Sequence, residues 1–185
     1  MKKIILIFFL LVAKNIMAED YYAKISLGQQ DGKDGQQDAT GGGFVLGMKL
    51  NSNFLTEIKV EHKQKDNKGF GTRIDLGIIG KVKLLDNLSA YTRVGAGKKT
   101  TDMNTFNFWA ITPGLKYKID DKWSIKGGVR FRDAFDTDKY RDYTKTLKVG
   151  VGYKLTEGRS LSLGFKRKVG DSEYNAIGFG YGVSF

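Results

Sequence analysis

The feature that most constrains this chain is a period of two that runs almost unbroken from residue 21 to residue 185. Apolar and polar residues alternate in segment after segment, and no stretch after Ala18 sustains apolar residues at helical spacing. Such alternation belongs to strands with two unlike faces, so the fold class is all-β. Ten strands are predicted, at roughly 21–28, 42–50, 54–63, 71–84, 88–97, 106–119, 122–133, 143–155, 159–168 and 174–185, with eight or twelve as the alternative counts. The breaks alternate in length. Asn51-Ser52-Asn53, Leu85-Asp86-Asn87, Asp120-Asp121 and Thr156-Glu157-Gly158 are short, whereas 29–41, 64–70, 98–105, 134–142 and 169–173 are longer. Short turns at one end and longer loops at the other describe a transmembrane antiparallel up-and-down β-barrel with an even strand number.

The identity of the apolar face supports a lipid solvent. Every second residue gives Ile25 and Leu27, then Phe44, Leu46 and Met48, then Ile74, Leu76 and Ile78, and so on to Ile177, Phe179, Tyr181 and Val183. None of these positions is charged, as expected where a charge at mid-depth would cost about 2–4 kcal/mol. Phe54, Tyr117, Trp123, Tyr153 and Phe185 fall near the short-turn end, and Phe44, Trp109, Phe131, Tyr143 and Phe165 toward the other. Two aromatic belts suit two membrane–water interfaces. A soluble sandwich would leave the opposite face in water, with little reason for that face to be glycine-rich.

The first residues read as an address. Lys2 and Lys3 precede the apolar run from Ile4 to Ala13, and Ile16-Met17-Ala18 offers a cleavage site before Glu19-Asp20. That run is shorter than the ~20 residues a spanning helix needs, so residues 1–18 are expected to be a signal peptide and 19–185 the barrel.

With the register set by the apolar face, sixteen cations fall on the inward face: Lys24, Lys49, Lys59, Lys63, Arg73, Lys81, Lys83, Arg93, Lys116, Lys118, Lys126, Arg130, Arg132, Lys148, Lys154 and Lys166. Only Glu57, Glu61 and Asp75 oppose them, an inward net charge of +13. The candidate pore-lining residues away from the ends are Lys59, Arg73, Lys81, Arg93, Lys116, Lys126, Arg130, Arg132, Lys148 and Lys166, with the three acids. Acidic residues collect in the longer loops, among them Asp31, Asp34, Asp38, Asp136, Asp138, Asp142 and Asp171. Fourteen glycines, including Gly28, Gly150, Gly164 and Gly178, share the inward face with several serines. Unpaired cations in a dry plug would carry a severe desolvation penalty, and rings of Arg and Lys serve anion-selective pores. The expected function is therefore a narrow, anion-preferring pore for small anionic solutes. The alternative is a closed structural or adhesive barrel, with inward cations paired to the three acids and glycine relieving strain.

Other chemistry is disfavoured. No Cys and a single His remove thiolate nucleophiles, Cys-ligated metal and a multi-His metal site. His62 falls on the outward face near the long-loop end, and Gly41-Gly42-Gly43 lacks the lysine and helix of a phosphate loop. The cations alternate along strands rather than forming a nucleic-acid patch, and Asp136 and Asp138 read as solvated turn residues. No enzyme, cofactor, metal or nucleic-acid partner is expected.

Gly178-Phe179-Gly180-Tyr181-Gly182-Val183-Ser184-Phe185 resembles the assembly signal of bacterial outer-membrane proteins, carried by Tyr181, Val183 and Phe185. That resemblance implies recognition by the outer-membrane insertion machinery, chain ends on the periplasmic side and a Gram-negative outer membrane with its lipid and lipopolysaccharide. Across its length the mature chain looks like the small monomeric barrels of that membrane. Gly128-Val129-Arg130-Phe131-Arg132, followed by an acidic loop and Tyr143, resembles the oligogalacturonate-specific porins. The resemblance implies that Arg130 and Arg132 belong to a basic track guiding acidic oligosaccharides. That family is read as twelve-stranded, against the ten strands counted here.

Overall fold

The computed structural model describes residues 21–32, 38–66 and 69–185. The segment read as a signal peptide and Asp34 of the first loop lie outside them. Ten strands follow in chain order: β1 (Tyr21–Gly32), β2 (Ala39–Lys49), β3 (Phe54–Lys65), β4 (Phe70–Lys83), β5 (Leu88–Thr101), β6 (Thr105–Lys118), β7 (Trp123–Ala134), β8 (Thr144–Thr156), β9 (Arg159–Gly170) and β10 (Tyr174–Ser184). Each pairs antiparallel with its sequence neighbour, and β1 pairs with β10 from Tyr22↔Ser184 to Gly32↔Tyr174, so the barrel is closed. Closure leaves no sheet edge, which lipid would not tolerate because it offers backbone groups no partner.

Local chemistry builds the hairpins. Asn51 Oδ1 accepts from the Asn53 and Phe54 amides at 2.9 Å, and Asp120 Oδ1 accepts from the Lys122 and Trp123 amides at 2.7 and 2.6 Å. Both are side-chain mimics of a backbone turn. Gly158 turns the β8–β9 hairpin at φ +80°, a conformation that favours glycine. Pro113 has no N–H to give, and the β6–β7 ladder is interrupted there, between Ile111↔Phe131 and Gly114↔Gly128.

All the longer breaks but one are shorter than the sequence pattern suggests, the exception being the connection after β7, at 135–143. β5 continues to Thr101 and β6 begins at Thr105, so the expected loop at 98–105 is a turn of three residues. Pairing continues through Lys99↔Phe106 and Thr100↔Thr105. Strands of up to 14 residues exceed the ~9–11 that cross a bilayer. Beyond the lipid the outward face need not be apolar, so alternation fades while the ladder continues. Only residues 135–143 form an extended connection among those fully described.

The packing is inverted relative to a soluble protein. Leu27 is 68% exposed and Ile58 50%, and the large exposed apolar side chains form a belt around the outside. Among the described residues the buried apolar ones are Ala39, Phe108, Ala110 and Ala134, whereas Asp75, Arg130, Arg132, Asp142 and Lys168 are also buried. Tyr21 stacks on Phe185 at 6.3 Å and Trp123 against Tyr153 at 4.6 Å, both near the short-turn end. The interior is polar and the exterior apolar.

Inward positions differ sharply in the room they offer. A Cβ at Gly97 would run into the Ile74 carbonyl and the Asp75 backbone, whereas one at Gly71 would meet nothing within 4 Å. Gly97→Ala is expected to destabilise the barrel by about 1–3 kcal/mol, and Gly71→Ala to be near neutral. Urea unfolding of the refolded barrel in vesicles, followed by tryptophan emission, measures both.

Candidate functional site

The lumen is the only enclosed polar space the fold creates among the described residues, and each predicted inward residue reaches it by strand parity. Glu57, Lys59 and Glu61 come from β3, Arg73, Asp75 and Lys81 from β4, and Arg93 from β5. Lys116 comes from β6, Lys126, Arg130 and Arg132 from β7, Lys148 from β8 and Lys166 from β9.

Register brings opposite charges together on one wall. Glu61 is paired with Arg73 and Lys59 with Asp75 across β3 and β4. Glu61 forms ion pairs with Arg73 and, at 2.6 Å, with Lys59. Asp75 sits among three guanidiniums: it pairs with Arg93, with Arg73 Nε at 3.3 Å and with Arg130 Nη2 at 3.7 Å. Arg93 also donates to Glu57 at 2.5 Å, and Glu57 accepts from the Tyr22 hydroxyl at 2.7 Å. The Arg93 guanidinium lies flat over Gly77 and Gly95, where a Cβ on either would collide with it. Tyr22 lies likewise over Gly47, and Tyr91 over Gly114 and Gly128. These glycines are beds for large side chains rather than open space.

The other wall is lined by small residues. Gly150↔Gly164, Gly164↔Gly178, Gly178↔Gly28 and Gly28↔Gly41 form one register row of five glycines across β8, β9, β10, β1 and β2. The next row toward the short turns reads Gly152, Ser162, Gly180, Ser26 and Gly43. A cavity of about 70 Å³ lies along this strip, lined by Ser26, Gly28, Gly41, Gly43 and Gly178 with Lys63, Lys166 and Glu61 at its border. A smaller polar cavity of about 20 Å³, room for roughly one water, lies between Lys59, Glu61, Arg73, Arg130, Arg132, Lys148, Lys166, Lys168 and Tyr174.

The lumen arginines cluster by height, while lysines stand at every level, Lys99 and Lys168 among them at the long-loop mouth. Arg73, Arg93, Arg130 and Arg132 occupy the middle and the long-loop half, whereas Lys24, Lys81, Lys116 and Lys126 stand within a few residues of the short turns. Lys24 donates to Ser162 Oγ at 2.7 Å, and Lys126 Nζ sits 4.1 Å from the Tyr91 ring centroid. Among the described residues no carboxylate lies at ion-pair distance from Lys24, Lys81, Lys116, Lys126, Lys148 or Lys166. Phe108 is fully buried, with Arg130 and Arg132 at 5.7 and 5.5 Å from its ring centroid.

Several lumen residues escaped the sequence reading. Lys99, Lys168 and Asp142 face inward beyond the predicted strand limits or at them, and Tyr22, Tyr91, Phe108 and Tyr174 place aromatic surface inside. The parity of β6 already put Phe108 on the inward line. His62 points outward, with Nδ1 2.8 Å from Thr72 Oγ1 and its ring stacked on Phe70. At the rim, the hydrogen bond from Lys65, 3.1 Å long, holds the exposed Asp102 carboxyl below its usual range. Asp75→Asn leaves three buried guanidiniums short of a counter-charge and is expected to destabilise the barrel by about 3 kcal/mol or more. Asp102→Asn at the exposed rim is expected to leave the urea midpoint unchanged.

Comparison with known proteins agrees with this architecture. The family model described as outer membrane protein beta-barrel domain matches residues 4–154. Among solved structures, KdgM porin in complex with disordered oligogalacturonate aligns with a TM-score of 0.54 at 14% identity, covering 89% of this chain and 99% of that one. NanC porin aligns at 0.51 and 10% identity, covering 88% and 100%. An outer membrane channel from Pseudomonas putida F1 aligns at 0.60 and 8% identity, covering 92% and 97%. At these identities the likeness is one of fold. A search of curated proteins finds no match.

Proposed function

Because this chain belongs to the outer membrane protein β-barrel family, we propose that it forms a narrow, anion-preferring pore for small anionic solutes, acidic oligosaccharides in particular. The observation that carries this reading is the separation of paired charge from open space inside the lumen. The three acids on β3 and β4 are taken up by Arg73, Arg93, Arg130 and Lys59, which makes that wall a pillar of ion pairs. Lys166 borders the cavity beside the glycine strip, and Lys24 and Lys148 stand on the same strands as that strip, without carboxylate partners among the described residues. Ammonium groups without counter-charge are stable only when hydrated or when an anion is present. An anion following the strip meets those lysines in turn, the arrangement by which basic rings select anions. The fold shared with KdgM porin, solved in complex with disordered oligogalacturonate, supports the choice of acidic sugars as solutes.

The remaining partners follow from the outside of the barrel. Tyr181, Val183 and Phe185 face outward along the closing strand and suit recognition by the insertion machinery, with the short turns in the periplasm. Lys98, Lys145 and Arg167 are exposed above the apolar belt, where lipopolysaccharide phosphates lie. The barrel acts as a monomer.

A closed structural or surface-contact barrel is the second reading, favoured by the small volumes, about 70 and 20 Å³, of the two lumen cavities described. The reversal potential of the refolded protein in a planar bilayer under a KCl gradient separates the two. Chloride selectivity is the expected result. Lys24→Glu, Lys148→Glu and Lys166→Glu together are expected to abolish or reverse it. A Cβ at Gly164 would meet only carbonyl oxygens at 3.6 and 3.9 Å, so Gly164→Leu is expected to lower conductance in a barrel that still folds. Cation selectivity would overturn the reading, and silence from a folded, heat-modifiable barrel would favour the closed one.

A further inference from the structure

The longest connection between strands, residues 135–143, carries a carboxylate into the barrel. Asp142 continues the inward, even-numbered line of β8 past its first residue and is 3% exposed. Its Oδ1 accepts from Lys99 Nζ at 2.8 Å and from Arg132 Nη2 at 2.7 Å, and its Oδ2 lies 2.6 Å from Arg132 Nε. The loop carboxylate thus lies against the side of a lumen arginine, with a hydrogen bond from Nη2 and an ion-pair contact at Nε. Lys168 is also buried, lines the same small cavity as Arg132, and has no carboxylate at ion-pair distance among the described residues. Two cations therefore share one acid at the long-loop mouth, and Lys168, which donates to Ser172 Oγ, stands nearby as a third. The loop is held at two further points: Tyr140 stacks on Phe106 at 5.2 Å, and the Tyr143 amide donates to Asp171 Oδ2 at 2.7 Å.

We propose that Lys99, Arg132 and Lys168 form a carboxylate-binding site that the chain's own Asp142 occupies, and that an incoming carboxylate solute displaces Asp142 and frees the loop from the mouth. The inference rests on the anion-pore reading and adds a site and a gate to it. Arg132 offers two parallel donors, which a carboxylate engages together and a chloride ion cannot. The site therefore separates acidic sugars from the inorganic anions that share the lumen. Seating Asp142 lowers the apparent affinity for solute by the fraction of molecules in which the site is vacant.

The test uses the mature barrel refolded in vesicles, with galacturonate as the probe and trypsin as the reporter. Lys139 and Arg141 are exposed in the loop and lie beside the clasp. In the wild-type protein, galacturonate is expected to speed cleavage after Arg141. Asp142→Asn is expected to be cleaved rapidly without it, and Asp142→Glu to behave like the wild type. In bilayers, Asp142→Asn is expected to lower the galacturonate concentration for half-maximal channel block by about tenfold or more. Cleavage indifferent both to galacturonate and to Asp142→Asn overturns the proposal, whatever the conductance. Chloride selectivity retained alongside that indifference leaves the pore reading standing.

Discussion

Closure of the hydrogen-bond ladder between β1 and β10 is the constraint on which everything else depends. Once the ring is closed, ten strands must agree about which side is inside, because a slip of one residue would turn a strand's lysines into the lipid. Parity is thus a property of the whole ring rather than of each strand. It explains why charge could be sorted so completely: lipid tolerates none on one face, leaving the other to hold Asp75 and its three guanidiniums at close quarters.

The same parity made much of the molecule legible from sequence. Strand count and the sense of each face follow from period two plus antiparallel neighbours, whereas the register that sets Glu61 beside Arg73 is visible only in the barrel. The sequence lost the thread where lipid ceases to impose it. Lys99 and Asp142 lie past the point at which the outward face must be apolar, so neither could be placed by alternation, although their inward parity continues. Pairing geometry was also out of reach, since nothing in the order of residues says that Arg93 will lean over Gly77 and Gly95 rather than extend toward the axis.

Glycine illustrates the difference between a residue's type and its use. Read as sequence, the fourteen inward glycines form a single class of small residue. In the barrel they divide into two populations. Gly77 and Gly95 are covered by Arg93, Gly114 and Gly128 by Tyr91 and Gly47 by Tyr22, whereas Gly150, Gly164, Gly178 and Gly28, on β8, β9, β10 and β1, form a strip that no side chain covers. The larger of the two cavities is consequently eccentric, set against one side of the cylinder, while the ionic pillar braces the other.

That strip has a property no side-chain lining could have. Its surface is peptide backbone whose amides and carbonyls are already committed to the ladder between neighbouring strands, so it offers a hydroxylated molecule almost nothing to hold. A sugar sliding along it would be tethered only through its charge, at the lysines, and would release its uncharged face without breaking a hydrogen bond. In a pore of the kind proposed above, throughput would depend on letting go as much as on attracting, and the glycine row would supply the letting go.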